Sequence, residues 1–461
     1  MLEAIVLGQR ALAANQYALN TIGHNIANAN TKGYTRQKVV LTSGEPTTIP
    51  VGHKDRASGA IGTGVKVQEI RRLKNEFLAV QNRDIKSDYG YWSERHEKMN
   101  FMEGVFNEPS TSGINSNLNK FWDAWQSLSA SPGESGRRSN LITQSTILVK
   151  NVREIRKQLV DLQQSTNDAL KGVVDQVNEH AVAISNLNRQ IVEGSSIRNP
   201  NDLMDKRDQH LEDLSKLIDF EYYKDEFGSV TVSIGGVFLV SNYTTNKMKV
   251  EIDNSNKNYY NIIWANNNDP AIAKKGKLEG FLVARDTDIQ GCMDKLDITV
   301  KTLINEVNQQ HRAGYDLKGE KGIDFFLGTD SSSFELNKEI FYDNSKIAAS
   351  STANNLSGNG ENASSMAKVR NKGVLNSGVT TINEYFREWI NNLGSDISEA
   401  DTYKETYHSL EQQIEQDIMS ISGVSLDEEM AELIKYEHSY AAVARYISVI
   451  STILETLMGL V

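Results

Sequence analysis

The chain has 461 residues, of which 39% are hydrophobic and 24% are charged, and this composition is typical of a folded protein with about two to four domains. Its net charge of −11 argues against a nucleic-acid-binding surface, and its single cysteine, Cys292, excludes an intrachain disulfide and a thiolate metal site. No apolar run looks long enough to cross a bilayer, so we expect neither a nucleic-acid partner nor membrane insertion.

The chain opens with a predicted helix that starts near Leu2 and carries a coiled-coil-like seam. Apolar residues recur every seven positions, and two more widen the stripe: Ile5, Leu12, Leu19 and Ile26, with Leu2 and Ile22. Ala4, Ala11 and Ala18 form a parallel small-residue stripe that leaves room for close backbone approach. Burial of this seam alone does not offset the entropy of ordering the segment, so the helix needs a partner helix.

The stretch "NIANANTKGYTRQ", Asn25 to Gln37, follows this helix and is called the connector below. Asparagine side chains end helices and bond nearby backbone groups, Gly33 permits a sharp turn, and Tyr34 is an amphipathic anchor. The residues that suggest a specialised role are Asn25, Asn28, Asn30, Gly33 and Tyr34. We expect a polar connector whose amides face other polar groups and which is loose before assembly; an ordinary polar loop is the alternative.

Two short strands and two helices are predicted next. "QKVVLTS" and "GVKVQEI" have the alternation of strands and are joined by a long polar excursion. The pattern turns helical from Leu73 to about Phe106, and a short helix follows a loop. Phe121, Trp122 and Trp125 lie on one face of that short helix, which indicates a core position.

Residues 140–193 form the longest periodic run, which predicts a helix of about 50 residues and ~75 Å in length. Such a length suits a rod-shaped protein better than a compact enzyme. His180 on its seam is interpreted as a core or interface residue and not as a ligand. After the turn "GSSIRNPND", a shorter helix runs from Asn201 to about Ile218.

Residues 221–275 switch to strand-like alternation with tight turns at Gly228 and Gly235–Gly236. Helix returns at about 278–312, and 313–375 reads as an irregular insertion rich in Ser, Asn and Gly. A helix then resumes near Thr380 and continues to the C-terminus with a break around Ser420–Ser425.

The last predicted helix carries a second seven-residue seam. Its positions are Leu426, Leu433, Tyr440, Ile447, Leu454 and Val461, with Met430, Val443, Ile450 and Leu457 between them. Ser425 and Glu428 predict a capping box at its start. The two chain ends therefore carry matching seams.

The predicted fold is mainly α with inserted β, an elongated multidomain protein with long coiled-coil-like terminal and core helices. Residues 1–35 and 425–461 form paired terminal helices. Residues 36–220 and 276–424 form a mainly helical core domain with the irregular insertion at 313–375, and 221–275 form a small β domain looped out of the middle.

The sequence offers no recognisable catalytic, metal or cofactor site. The eight histidines are scattered without the spacing of a zinc pair, "GAIGTG" lacks the lysine of a phosphate loop, and no Gly-x-Ser-x-Gly elbow occurs. We therefore expect no enzyme activity, no catalytic residue, no metal and no cofactor.

Both ends of the chain resemble the bacterial flagellar axial proteins of the rod, hook and hook-associated classes. "ALAANQYALNTIGHNIANANTKGYTRQ" is similar to their N-terminal motif, and "LDEEMAELIKYEHSYAAVARYISVISTILETLMGL" to their C-terminal motif. Three internal stretches resemble the hook-associated protein 1 family in particular: "NDLMDKRDQHLEDLSKLIDF", "INEVNQQHRAGYDLKGEKGIDFF" and "SKIAAS".

This resemblance implies a structural junction protein that links hook to filament by self-assembly through its terminal helices. It implies self-association in a ring or tubular array, contacts with hook protein and hook-associated protein 3, and a flagellar export chaperone. It also implies type III export to the extracellular flagellum without a cleaved signal, consistent with a start, "MLEAIVLGQR", that lacks the pattern of a secretory signal peptide.

The predicted assembly interface consists of the two seams and the connector. Its residues are Ile5, Leu12, Leu19, Ile22, Asn25, Ile26, Asn28, Asn30, Gly33, Tyr34, Leu426, Met430, Leu433, Tyr440, Ile447, Leu454 and Leu457. We expect both ends to be mobile in the free subunit and helical in the assembly. The alternatives are a hook or rod protein, an adhesin-like binding module in the β segment, and a wall hydrolase carried on the same scaffold.

Overall fold

A computed structural model describes residues 2–48, 60–195 and 200–459. Long helices dominate, and a small sheet-containing segment lies in the middle of the chain, so the predicted fold class is confirmed. The centre of the polar excursion (residues 49–59), the turn residues 196–199 and the predicted seam position Val461 lie outside the described residues.

The helices are α1 (Leu2–Ala27), α2 (Glu76–Phe106), α3 (Ile114–Ala130), α4 (Ser135–Ser195), α5 (Asn201–Leu217), α6 (Gly276–Val283), α7 (Gln290–Ala313), α8 (Lys338–Tyr342), α9 (Glu361–Lys368), α10 (Ile382–Ser422) and α11 (Leu426–Met458). A π-helix spans Ala284–Ile289, and 3-10 turns span Asn344–Lys346 and Val369–Asn371. The strands are β1 (Gln37–Ser43), β2 (Thr47–Thr48), β3 (Ala60–Ile61), β4 (Val65–Arg72), β5 (Glu221–Lys224), β6 (Val230–Ile234), β7 (Val237–Ser241), β8 (Thr244–Thr245), β9 (Met248–Asp253), β10 (Tyr259–Trp264), β11 (Phe326–Leu327) and β12 (Glu335–Leu336).

The two strands predicted after the connector form an antiparallel ribbon. β1 pairs with β4 from Gln37 opposite Arg72 to Ser43 opposite Val65. The ribbon lies beside α1 and returns the chain to α2, whose first turn is capped by the Asn75 side chain.

α4 is a long helix that contributes to both hydrophobic cores of the subunit. Its 61 residues make it about 90 Å long at ~1.5 Å per residue, somewhat longer than the sequence pattern predicts. Most of the additional residues lie at its N-terminus, where the buried Arg138 donates to the carbonyls of Pro132 and Ile347. One face of the helix is buried along almost its whole length.

The first of two hydrophobic cores, called the helical core, surrounds the N-terminal half of α4. Phe121, Trp122 and Trp125 of α3 are at most 1% exposed within it, as their spacing predicts. The irregular segment 313–375 belongs to this core as well, since Phe325, Phe334 and other apolar residues of that segment are buried in it. This segment therefore packs into the main body.

The second core, called the sheet core, joins the β segment to the C-terminal half of α4. A four-stranded sheet in the order β5-β6-β7-β8 and the hairpin β9–β10 supply one side, with Val232, Leu239 and Trp264 among the buried residues. Val173 of α4 and Leu214 of α5 supply the other side. The strands thus lie within the predicted range 221–275, but they share a core with the helices.

The entry and exit of the β segment touch each other. Gly276 begins α6 with φ of +83°, and a Cβ placed on it would lie 2.6 Å from the Cα of Ile218 at the end of α5. Only glycine allows the two chain segments to cross this closely. The ends of the insertion are adjacent, as expected of a segment looped out between two helices.

The two last helices are separated by a short break. α10 starts with a complete capping box between Thr381 and Glu384 and ends at Ser422. Ser425 then caps α11 by accepting a hydrogen bond from the Glu428 N–H. The Glu428 carboxylate binds Arg36 and does not return to the cap, so only half of the predicted capping box is observed.

Candidate functional site

The terminal helices α1 and α11 pack against each other in antiparallel orientation. Gly8 faces Ile447 near one end of the pair, and Asn25 faces Glu429 near the other. A Cβ on Gly8 would lie 2.6 Å from Cγ1 of Ile447, so the helix backbones approach closely at this point. Sequence reasoning selected the alanine stripe and missed Gly8, which continues it.

The predicted seam residues lie at this interface but are covered to different degrees. Ile22 is buried, and half-buried seam residues of both helices are Ile5, Leu12, Leu19, Ile26, Leu433, Tyr440, Ile447 and Leu454. Leu426, Met430 and Leu457 are exposed. One partner helix therefore covers only one side of each seam.

Two further apolar stripes on α11 remain uncovered. Leu426, Met430 and Ile434 step by four residues along one flank of its first turns. A second flank, called the outer stripe below, consists of Tyr446, Val449, Ile453 and Leu457. At 3.6 residues per turn, these flanks and the seam toward α1 point in three different directions.

α1 presents a complementary, uncharged surface. Between Arg10 and His24 it carries no charged side chain, although much of its outer face is exposed. Tyr17 within this stretch and Val6 just before it are also exposed. A surface without charges can be covered by another helix without desolvating ions.

A stretch in the helical run Ile382–Met458 is long and apolar enough, by length and composition alone, to span a membrane, and none of it is buried. This corrects the expectation that no such run exists. The stretch lies in α11, where Arg445 and Glu455 interrupt the apolar positions. A core helix of a soluble protein passes the same test, and we relate this apolar stretch to the uncovered stripes of α11.

The connector is organised around the buried amide of Asn25, which is 1% exposed. Its Nδ2 donates to the Gln37 carbonyl at 2.9 Å and to Oε2 of Glu429 at 3.0 Å. Its Oδ1 accepts from the Gln37 N–H at 3.0 Å and from the Tyr34 hydroxyl at 2.8 Å. Both donors and both lone pairs of the amide are therefore used, across α1, β1 and α11.

Arg36 ties the connector to the start of α11. Its Nε lies 2.6 Å from Oε1 of Glu429, its Nη1 lies 2.6 Å from Oε2 of Glu428, and its backbone N–H donates to the Ser422 carbonyl. Glu429 is only 2% exposed, so its ion pair with Arg36 is shielded from water. Burial works against the Arg36 cation, but the two carboxylates outweigh it and raise its pKa.

α5 holds the other side of the connector. Asp202 accepts from Nε2 of Gln37 at 3.0 Å, and Oδ2 of Asp205 accepts from the Thr35 N–H at 3.1 Å. Nη1 of Arg72, at the end of the ribbon, lies 2.7 Å from Oδ1 of Asp205 and 2.8 Å from Oδ2 of Asp208.

The carboxylate of Asp208 stays ionised within this cluster. Burial would raise its pKa, but Lys74 at 2.6 Å and Arg72 outweigh burial and hold the pKa below its usual range. Asn25, Arg36, Glu429 and the α5 carboxylates thus form one network, called the hub, that joins both chain ends to the ribbon and α5.

Tyr34 and His24 extend the hub. Tyr34 donates its only hydroxyl hydrogen to Asn25, so at the 3.0 Å contact Nδ1 of His24 must carry the hydrogen and donate it to the Tyr34 oxygen. Burial, followed by the charges of Asp202, Asp205 and Glu429, raises the pKa of Tyr34. The phenol therefore remains protonated at physiological pH.

The remaining connector residues have separate roles. Gly33 has φ of +79°, and a Cβ there would lie 2.8 Å from Oε1 of Gln209 on α5. Asn28 donates to the His24 carbonyl at 3.0 Å and accepts from Thr31, whereas Asn30 is exposed. The connector is packed within the subunit, contrary to the expectation that it is loose, because its amides find partners on α5 and α11.

Within the described residues no group of three or more His, Cys, Asp and Glu side chains is arranged to hold a metal ion. A groove of about 1350 Å³ lies between α1 and the ribbon and is lined by residues such as Arg10, Tyr17 and Lys66. The hub is chemically a set of matched charges and amides, and what it can do is fix the direction of the helix pair.

Family models match three parts of the chain. Residues 99–326 match "Flagellar hook-associated protein FlgK helical domain", residues 6–35 match "Flagella basal body rod protein", and residues 415–460 match "Flagellar basal body rod FlgEFG protein C-terminal". The model for the middle of the chain favours the hook-associated proteins over the hook and rod alternatives.

Relatives named flagellar hook-associated protein 1 match the chain along most of its length. The Bacillus subtilis protein is 28% identical over 98% of this chain and 96% of its own length, and the Escherichia coli protein is 22% identical over 97% and 98%. The Salmonella typhimurium protein is 29% identical over 68% of this chain and 57% of its own length.

A solved structure has the same fold. The flagellar hook junction protein FlgK from Burkholderia pseudomallei superposes with a TM-score of 0.68, at 15% identity, over 74% of this chain and all of that one. The family models and the relatives that span the whole chain show that the chain belongs to the flagellar hook-associated protein 1 family and is a structural component of the flagellum.

Proposed function

We propose that this protein links the hook to the filament by packing its α1–α11 pair against the pairs of neighbouring copies in a ring or tubular array. The uncovered stripes of α11 support this role most strongly, because they point away from α1 in two directions. Neighbours on both sides would bury them, and the uncharged face of α1 offers a matching surface.

The proposed partners come from the resemblance of both chain ends to the flagellar axial proteins, and the names of the relatives support contacts with the hook. We place hook protein on one side of the array and hook-associated protein 3 on the other, with a flagellar export chaperone before assembly. The location is the extracellular hook–filament junction, reached by type III export. The role requires no catalysis and no membrane insertion.

A single substitution in the outer stripe tests the proposal. Val449 is 57% exposed, so Val449→Asp should leave the melting temperature of the purified subunit unchanged. In a strain that carries only this variant, hooks should form but bear no filament, and filament subunits should appear in the medium. Ile252→Asp on β9, which is 56% exposed, is the matched control and should support normal filaments. Normal filaments with Val449→Asp would contradict the proposal.

The β segment supports a second candidate function, an adhesin-like binding surface. The strand register places Tyr223 beside Thr231 and Phe238 beside Ser233 on the solvent face of the sheet, and both aromatic rings are exposed. Removing both rings should abolish surface attachment of cells while motility stays normal. Unchanged attachment by motile cells would exclude this function.

A further inference from the structure

A buried polar layer separates the two cores of the molecule. On α4 the helical core ends at Leu162, and the sheet core begins at Leu170. Between them Gln163, Thr166 and Asn167 are no more than 2% exposed. In the helical run that packs beside α4, the sheet core ends at Phe281 and the helical core begins at Ile289.

Two amide side chains of α4 hold this layer together. Nε2 of Gln163 donates to the Arg285 carbonyl at 2.8 Å, and its Oε1 accepts from the Tyr259 hydroxyl at 2.6 Å. Oδ1 of Asn167 accepts from Nη1 of Arg285 at 2.9 Å and from the Tyr260 N–H at 2.8 Å. The layer thus connects α4, β10 and the run α6–α7 by hydrogen bonds between buried polar groups.

The π-helix Ala284–Ile289 lies at the level of this layer. Residues on both sides keep right-handed helical angles, so α6, the π-helix and α7 form one continuous run from Gly276 to Ala313. A π-helix replaces i→i+4 hydrogen bonds by wider i→i+5 bonds, and such segments are rare and occur mainly at functional positions. Gln163 reaches into this segment by binding the carbonyl of Arg285.

We propose that the polar layer is a bending joint, at which the block built on the sheet core tilts relative to the block built on the helical core. α4 passes through the layer without interruption and acts as the flexible spine. On the opposite side the π-helix changes its hydrogen bonding between i→i+5 and i→i+4 and so adjusts the length of the α6–α7 run.

The layer can bend more easily than the two cores because it is held by polar side chains, whereas the cores are held by apolar packing. Interdigitated apolar side chains resist displacement because a shift opens voids, whereas hydrogen bonds of long polar side chains can be exchanged as their elements slide. The Arg285 guanidinium has alternative acceptors at hand, since Asp286, Asn167 and the Tyr260 carbonyl all lie within 2.9 Å of its nitrogens. The device goes beyond the proposed junction role and does not depend on it.

Distance distributions between spin labels test the joint in the purified 461-residue chain with Cys292→Ala. One pair spans the layer, with cysteines in place of Ile298 on α7 and Ile252 on β9. A second pair lies within one block, at Ile298 and Ile147, and all three positions are exposed. The spanning pair should give a distribution at least twice as wide as the pair within one block.

Gln163→Leu removes the side chain that binds the π-helix carbonyl, so it should shift the spanning distribution and leave the other pair unchanged. Gln164→Leu is the matched control. The neighbouring Gln164 is exposed, and its side chain donates to Asp168 of the same helix, α4. This control variant should change neither distribution. If Gln163→Leu impairs folding, the test rests on the protein that keeps Gln163. The distance distribution of the spanning pair must then be wider than that of the pair within one block. Equal widths for both pairs, or equal effects of the two glutamine variants, would overturn the joint.

Discussion

At the scale of single residues, Asn25 shows how an amide can hold two chain ends together. Its four hydrogen bonds reach the connector and the first turn of α11, and the three that involve Gln37 and Glu429 are buried. The bond to Glu429 crosses 404 positions of sequence. A side chain with two donors and two acceptor sites is the one that can satisfy all of these groups at once.

We predict that Asn25→Ala destabilises the isolated subunit by about 2–3 kcal/mol, because it leaves the Gln37 N–H and the Glu429 carboxylate short of partners in a buried site. Chemical denaturation of the purified subunit measures the loss. Asn30→Ala, at an exposed position of the same connector, is the control and should change stability by less than about 0.5 kcal/mol. Equal effects of the two variants would show that the hub contributes nothing to folding.

Gly33 gives a second prediction at this scale. Gly33→Ala should lower the stability of the free subunit by roughly 1–3 kcal/mol, since a side chain at φ of +79° is strained and would press on Gln209. Gly23→Ala is the matched control: it lies within α1 with nothing within 4 Å of a new Cβ. That change should stabilise by up to ~1 kcal/mol, because alanine favours helix. Thermal melting of both variants distinguishes a packed connector from a loose one.

At the scale of elements, the β segment belongs to the body of the subunit. Its inner face supplies one half of the sheet core, so replacing residues 221–275 by a short linker would expose apolar positions of α4, α5 and α6. The touching ends at Ile218 and Gly276 make such a linker geometrically possible. The loss of the shared core, and not the closure of the chain, would destabilise that variant.

Two neighbouring residues of β7 test this shared core. Leu239→Ala should cost about 2–5 kcal/mol, because Leu239 is fully buried between the sheet and the helices. Phe238→Ala, next to it but 55% exposed, should have little effect on the free energy of unfolding. A small effect of Leu239→Ala would mean that the sheet contributes nothing to the stability of the helical body.

The elements with regular local patterns could be predicted from the sequence. The strands β1 and β4, the core position of Trp122 and the long α4 all follow from periodicity, which is a property of neighbouring residues. The hydrogen-bond partners in the hub could not be predicted from the sequence. Glu429 is one of several acidic residues at the start of α11, and helix capping is a sufficient explanation for acidic residues there. The packing of Phe325 and Phe334 was missed too, since an irregular backbone has no period from which burial can be recognised.

At the scale of the whole molecule, the hub fixes one end of the helix pair to the body through Asn25 and Glu429. The opposite end contacts the ribbon, where Arg10 donates to the Thr63 carbonyl, and leaves the outer stripe of α11 exposed. The sequence predicts mobile chain ends in the free subunit, and from the position of the hub we predict that this mobility increases with distance from it.

Hydrogen exchange of the verified monomer tests this gradient. Amides of Leu2–Gly8 and of residues 447–458 should exchange within seconds, those near Asn25 and Glu429 more slowly, and those in the middle of α4 slowest, because opening is easiest where few apolar contacts must break. In the assembly the fast amides should become protected. Uniform strong protection along α1 and α11 in the monomer would contradict a transition from mobile to ordered ends.

The antiparallel pairing also determines the order in which the protein becomes complete. α1 precedes its partner α11 by almost the whole chain, so before α11 is present α1 can pack on the ribbon but lacks the helix that covers its seam. The hydrogen bond from Asn25 to Glu429 joins positions 404 residues apart, and the hub and the seam help to offset the entropy of bringing them together. The first helix therefore lacks its helix partner until the end of the chain is present, and the pair that carries both seams is completed last.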